Sequence, residues 1–228
     1  QEALSLPCEA GFVYSCLMRL FCSNPLLQSH LFSNRLQSLI FVPAGSFVPG
    51  RPFIHSEKGE MQMAKLILLR GNSGSGKTTL ARLLQERFGP NTMRISHDMI
   101  RMEILHVWGA EGVEKSLPLL IELLRYGRRH SEITILEGIL SAEEYRPLFE
   151  TAVREFGRDV FAYYYDLPFE ETLRRHRTKP NRDDFGESDM RRWWREKDWI
   201  GLLPETVLTQ EVSLEAAANL IVHDVTGR

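Results

Sequence analysis

Gly71-Asn72-Ser73-Gly74-Ser75-Gly76-Lys77-Thr78 decides how the rest of the chain is read. It fits G-x-x-x-x-G-K-[ST] and stands between an apolar run, Lys65 to Arg70, and an amphipathic stretch from Lys77 to about Phe88. A triphosphate must be wrapped closely by backbone N–H groups, and a glycine-rich turn ahead of a helix supplies them where the helix dipole also favours an anion. The spacing places Lys77 on the β and γ phosphates and the Thr78 hydroxyl on Mg²⁺, so the expected binding residues are Gly71, Asn72, Ser73, Gly74, Ser75, Gly76, Lys77, Thr78 and Thr79.

Outward from this turn the pattern alternates short apolar runs with amphipathic stretches, as in a parallel sheet covered on both faces. Strands are expected at Lys65 to Arg70, Thr92 to Ser96, Glu132 to Glu137, Val160 to Asp166 and Glu205 to Leu208. Helices are expected from Lys77, from Asp98 to about Val107, from Ser116 to about Arg129, after the capping box Ser141-Ala142-Glu143-Glu144, from Pro168, and after Ser213. The third strand ends in Glu137, which resembles a Walker B carboxylate and would emerge beside the turn as a second metal group; a solvated strand-end acid is the alternative.

A phosphate cradle implies a nucleotide and leaves the reaction open. Ser96-His97-Asp98-Met99-Ile100-Arg101 follows the second strand, with Asp98 suited to accept a proton from a substrate hydroxyl and Arg101 to hold the acceptor. Asp98 equally suits a helix cap, and the two roles are compatible. His97 reads as a bystander. Arg174-Arg175-His176-Arg177-Thr178-Lys179 piles basic residues ahead of a polar loop, as expected of a lid over about 174–200 that brings Arg174 or Arg177 over a transferring phosphoryl group. The aromatic residues Tyr163, Tyr164, Tyr165, Trp193, Trp194 and Trp199 read as core packing rather than base-stacking platforms.

Cradle, post-strand aspartate and arginine-rich lid occur in the order found in small P-loop kinases, and Lys65 to about Gly186 resembles above all the zeta-toxin-like and chloramphenicol phosphotransferase-like group, whose relatives include polynucleotide kinase. The resemblance implies a three-layer α/β/α P-loop NTPase fold with a five-stranded parallel sheet in the order 2-3-1-4-5 and a helical lid. It also implies ATP with Mg²⁺ as donor, Asp98 as the group that activates the acceptor hydroxyl, Lys77 and Thr78 as the cradle pair, and Arg174 or Arg177 as the lid arginine. The chain departs from that group at Ser96, where related kinases often carry a first aspartate, and this shifts weight onto Glu137.

Composition bounds these readings. The 228 residues suit one full-sized domain, and a net charge of −2 provides no global basic field for a polynucleotide. Residues 1–60 carry eight charged side chains against fifty in the remaining 168, and hold all three cysteines (Cys8, Cys16, Cys22). That break predicts an N-terminal extension outside the functional domain, with the kinase domain over 61–228. A cysteine-free body fits a reducing, cytoplasmic setting, and no apolar run reaches the ~18 residues of a membrane helix. The expected activity is ATP-dependent phosphoryl transfer to a hydroxyl of a small metabolite, nucleoside or sugar-nucleotide. A polynucleotide end kinase and a nucleotide-dependent switch with weak hydrolysis are the alternatives.

Overall fold

In the computed structural model, residues 64–179 and 182–227 are described; the expected break near residue 60 lies outside them. Five parallel strands form one sheet in the order β2-β3-β1-β4-β5, as expected, with β1 Lys65–Gly71, β2 Thr92–Ser96, β3 Ile133–Glu137, β4 Val160–Tyr165 and β5 Glu205–Leu208. β1 is apolar on both faces because both are covered. Leu66 and Leu68 join one core with α3 (Gly109–His130) and α4 (Arg146–Phe156); Ile67 and Leu69 join the other with α1 (Lys77–Phe88) and α7 (Leu214–Thr226). Tyr163 and Tyr165 fill this second layer, and Tyr163 donates a hydrogen bond to Asp224 at 2.8 Å, tying β4 to α7.

Three helices depart from expectation for local reasons. The segment from Asp98 forms only α2 (His97–Met99) and a π-helical turn at Ile100–Ile104, where Leu105 N–H donates to Ile100 O at 3.0 Å. His106 then takes a left-handed φ of 55°, which ends the helical run. Helix α3 begins seven residues earlier than Ser116, because Gly112 is no breaker: a β-carbon there would lie 2.3 Å from the Arg101 guanidinium packed against it. The capping box forms by half. Ser141 Oγ accepts Glu144 N–H at 3.4 Å, but Glu144 pairs with Arg195, and α4 proper begins at Arg146.

The level carboxyl ends of β1, β2 and β3 set the stage for a site, since Glu137 is in register with both Leu69 and Ser96. Beneath them Arg70 is completely buried and uses all five of its N–H donors: two on Leu140 O, one each on Asp198 O and Asp198 Oδ2, and one on Glu205 Oε1, at 2.7–3.0 Å. One side chain thus joins the loop after β3, the segment around Asp198, and β5.

Candidate active site

The turn between β1 and α1 folds inward as its sequence demands. Gly74 and Gly76 have φ of 81° and 104°, and a β-carbon on Gly74 would stand 2.5 Å from Thr172 O. Lys77 curls over the turn, its Nζ donating to Asn72 O at 2.9 Å and Ser75 Oγ at 3.2 Å. Burial pushes its ammonium down to about 8, while the carboxylates of Glu137 and Asp98 hold it up. The Asn72 side chain faces elsewhere: its amide donates to Arg195 O at 2.7 Å and its carbonyl accepts Arg195 N–H at 3.0 Å, clamping the turn to the Arg195 backbone. Ser73 lines the cleft, and Thr79 is exposed in the first turn of α1.

Glu137 meets the start of α1. Thr78 Oγ1 donates to Glu137 Oε2 at 3.2 Å. The Glu137 side chain is almost wholly buried, and its Oε1 makes no hydrogen bond, with Arg94 Nη1 3.9 Å away. A buried carboxylate oxygen left unbonded beside a hydroxyl suits a hard cation. Among the described residues no group of three His, Cys, Asp or Glu side chains could hold a metal, so phosphate and water oxygens would have to complete such a shell.

Across the cleft, Asp98 is not a cap: Ser96 occupies the N-cap position and no side-chain cap bond forms. The Asp98 side chain is 54 % exposed because it faces an open cleft, although protein surrounds its base. That crowding opposes ionisation, but the His97 ring close beside it and the cations Lys77 and Arg101 outweigh it and hold the carboxyl below its usual range. His97 is no surface bystander. It is buried; its Nε2 lies 2.6 Å from the Tyr145 hydroxyl, which in turn lies 3.2 Å from Ser116 Oγ, and its Nδ1 is 3.5 Å from Asp98 Oδ1 with no hydrogen bond of its own. Arg101 donates to Gly109 O at 3.1 Å at the start of α3.

The segment expected to form a lid, about 174–200, holds the end of α5 (Phe169–His176) and α6 (Glu187–Trp193). Its arginines are arranged differently from expectation. Arg174 is turned outward and held by both oxygens of Glu171, whereas Arg175 reaches the turn and donates to Ser75 O at 2.8 Å. Helical phase decides this, since adjacent residues lie about 100° apart around a helix of 3.6 residues per turn. Arg177 is exposed, with no ion pair among the described residues. Lys179, not singled out in the sequence, is half-buried; burial lowers its pKa, and Asp98 and Glu137 raise it, placing it within their field. The three tyrosines of β4 are core residues as expected, but Trp193 and Trp199 are 37 % and 41 % exposed. A cavity of about 1030 Å³ opens onto Ser73, Asp98, Arg101, Tyr145 and Trp193.

Sheet order, loop and cleft together define a P-loop protein with a three-layer α/β/α fold. The AAA domain family matches residues 66–203, and the chain belongs to that family. No curated protein matches it. Among solved structures the chain is similar to the Mycobacterium tuberculosis APS kinase CysC in complex with AMPPNP and APS, at 18 % identity over 73 % of this chain and 99 % of that one (TM-score 0.54). It is similar also to a gluconokinase from Sinorhizobium meliloti 1021, at 16 % identity over 70 % and 91 % (0.51), and to the Deinococcus radiodurans tunicamycin resistance protein, at 19 % over 72 % and 96 % (0.50). At such identities the likeness is one of fold. No helix among the described residues is long and apolar enough to cross a membrane.

Proposed function

We propose that the chain is an ATP-dependent phosphotransferase acting on a hydroxyl of a small molecule, within the zeta-toxin-like and chloramphenicol phosphotransferase-like group of P-loop kinases, with its organised body over 61–228 and its lid over about 174–200. The observation that carries this reading is the shared cavity, in which Ser73 of the phosphate turn and the carboxylate of Asp98 face the same space. A switch has no use for that second wall.

The turn from Gly71 to Thr79 binds the phosphates and Lys77 lies along the β–γ bond. Asp98 accepts the proton of the acceptor hydroxyl as its oxygen bonds to the γ-phosphorus and the bond to the β–γ bridging oxygen breaks, releasing ADP. Arg101 holds the acceptor. Arg175 ties the lid to the turn, and Arg177, uncommitted in this state, is the lid arginine placed to swing over the moving group; Arg174 would first have to leave Glu171. Thr78 and Glu137 would hold Mg²⁺, which when bound neutralises phosphate charge. The test is ADP release from Mg-ATP with and without a panel of hydroxyl compounds. Acceptor-stimulated release is expected, and a protein with no magnesium-assisted affinity for ATP would remove the proposal.

A pH prediction follows from the lowered Asp98 carboxyl. It remains ionised through the ordinary carboxylate range, so the acid limb of the acceptor-stimulated rate should lie below that range. The same sign means that Asp98 contributes to stability above the unfolded carboxylate pKa and loses that contribution as pH falls through its own lower value. Tyr145→Phe removes the hydroxyl that holds His97 and is expected to lower kcat by roughly 3- to 10-fold, about one hydrogen bond's net worth, and to move the acid limb upward. An unchanged pH–rate profile in that variant would show His97 to be merely structural.

A further inference from the structure

We infer that the acceptor is an uncharged hydroxyl compound bearing a flat ring, which stacks on the aromatic side chains of the cavity beyond Asp98. The inference rests on the phosphotransferase reading and goes beyond it by stating what fills the acceptor half. The cavity, about 1030 Å³, extends from Ser73 of the phosphate turn past Asp98 to Trp108 and Trp193, so it has room for an acceptor beside the donor phosphates.

Two tryptophans from separate elements contribute to its apolar surface. Trp108, at the N-cap of α3, is 54 % exposed, and Trp193, at the end of α6, is 37 % exposed; both line the cavity. Large aromatic side chains left uncovered around a cavity mark a place where a ligand removes apolar surface from water. Both are braced from one side. Trp193 packs edge-on against Phe185 at 5.2 Å, and Phe185 stacks at 4.4 Å on His176, which is itself buried and lies 2.9 Å from Phe185 O. Trp108 packs at 4.3 Å against His106. Side chains held this way are pre-formed platforms, which lose little freedom when a ring settles on them.

Charge in the cavity weighs against an anionic acceptor. Side chains recognise a phosphate or carboxylate best through free guanidinium forks. Here Arg192 is paired with Asp189 at 2.8 Å and Arg195 with Glu144 at 2.9 Å, while Arg101 is committed in part to Gly109 O. Asp98 and Asp184 add two further carboxylates facing the same space, so carboxylates outnumber arginines there by four to three. A nucleotide or a polynucleotide end would bring its phosphate against this balance. A neutral ring with a hydroxyl would not.

The experiment uses the full chain with AMPPNP and Mg²⁺ present to fill the donor side, and reads binding by calorimetry. The probes are phenyl β-D-glucopyranoside against methyl β-D-glucopyranoside, and uridine against ribose and uridine 5′-monophosphate. Each ring-bearing probe is expected to bind roughly tenfold or more tightly than its ringless counterpart, in line with stacking on one aromatic face. The monophosphate should bind more weakly than uridine. Trp108→Ala and Trp193→Ala should each erase most of the preference with an unchanged far-ultraviolet spectrum, and Trp193→Phe should keep it. Equal binding of ring-bearing and ringless probes, tighter binding of the monophosphate, or no binding of either ring-bearing probe would overturn the inference. ADP release with ATP is read in parallel. A ring preference without transfer would remove the phosphotransferase reading and leave the cavity assignment standing, whereas transfer to a ringless or phosphorylated acceptor would do the reverse.

Discussion

Asp98→Asn is expected to lower acceptor-stimulated ADP release by about 10²- to 10⁴-fold, the range typical of losing a positioned general base. The substitution keeps the shape of the side chain and removes its ability to take a proton. ATP affinity should change little, because Asp98 lies across the cavity from the turn and touches Lys77 only through its field. That contrast gives the measurement its force. Isothermal titration with ATP and Mg²⁺ reads the donor half, and steady-state turnover with an acceptor reads the other. A variant that binds ATP normally and still responds fully to acceptor would show that Asp98 is not the base. Loss of both functions together would instead point to a collapsed turn, visible as a lowered melting temperature. His97→Phe, which leaves the carboxylate in place, should fall between wild type and Asp98→Asn in rate.

Arg70→Ala is expected to destabilise the domain by about 3–5 kcal/mol, the usual result of removing one partner from a buried ionic group. The loss arises less from the missing attraction than from what stays behind. Glu205 is 2 % exposed and Asp198 18 %, so two carboxylates would remain in or near the interior without their counter-charge, and Leu140 O would lose both of its donors. Arg70→Lys should recover only part, since an ammonium has three donors where five are in use. Urea unfolding followed by circular dichroism measures the difference. A shift below ~1 kcal/mol would mean that water or a local rearrangement satisfies both acids. Because Asp198 Oδ2 also accepts Ala142 N–H at 2.9 Å, the change should loosen the loop carrying Leu140 and Ser141, both of which line the cavity. Arg70→Ala is therefore expected to weaken acceptor binding more than ATP binding.

These residues show where a linear reading runs out. Arg70 reads as the polar last residue of an apolar strand; its burial depends on two acids some 130 positions away that no spacing rule connects. Arg175 was passed over for its neighbours because a run of basic residues does not announce its helical phase relative to a turn a hundred residues earlier. The sequence reads the tryptophans as core packing, yet Trp193 and Trp199 are 37 % and 41 % exposed, Trp199 covering Tyr164 from the outside and Trp193 lining the cavity. The start of α3 at Gly109, ahead of the expected Ser116, brings Gly112 against the Arg101 guanidinium, a contact no local propensity contains.

Local chemistry carried what the sequence determined by itself: period-two and longer apolar patterns placed the five strands within a residue or so, the glycines before Lys77 specified a turn that only they can adopt, and the strand-to-helix context located the phosphate end of the cleft. All of these depend on neighbours within a few positions, where dihedral sterics and backbone hydrogen bonding act. The tertiary structure alone decided which arginine meets the turn, that His97 is buried beside Asp98 with Tyr145 behind it, and that Trp108 and Trp193 come to line one cavity with Asp98. Each of those is a contact between segments brought together by sheet order and helix phase, and its energy comes from burial and charge pairing that exist only once the chain has closed on itself.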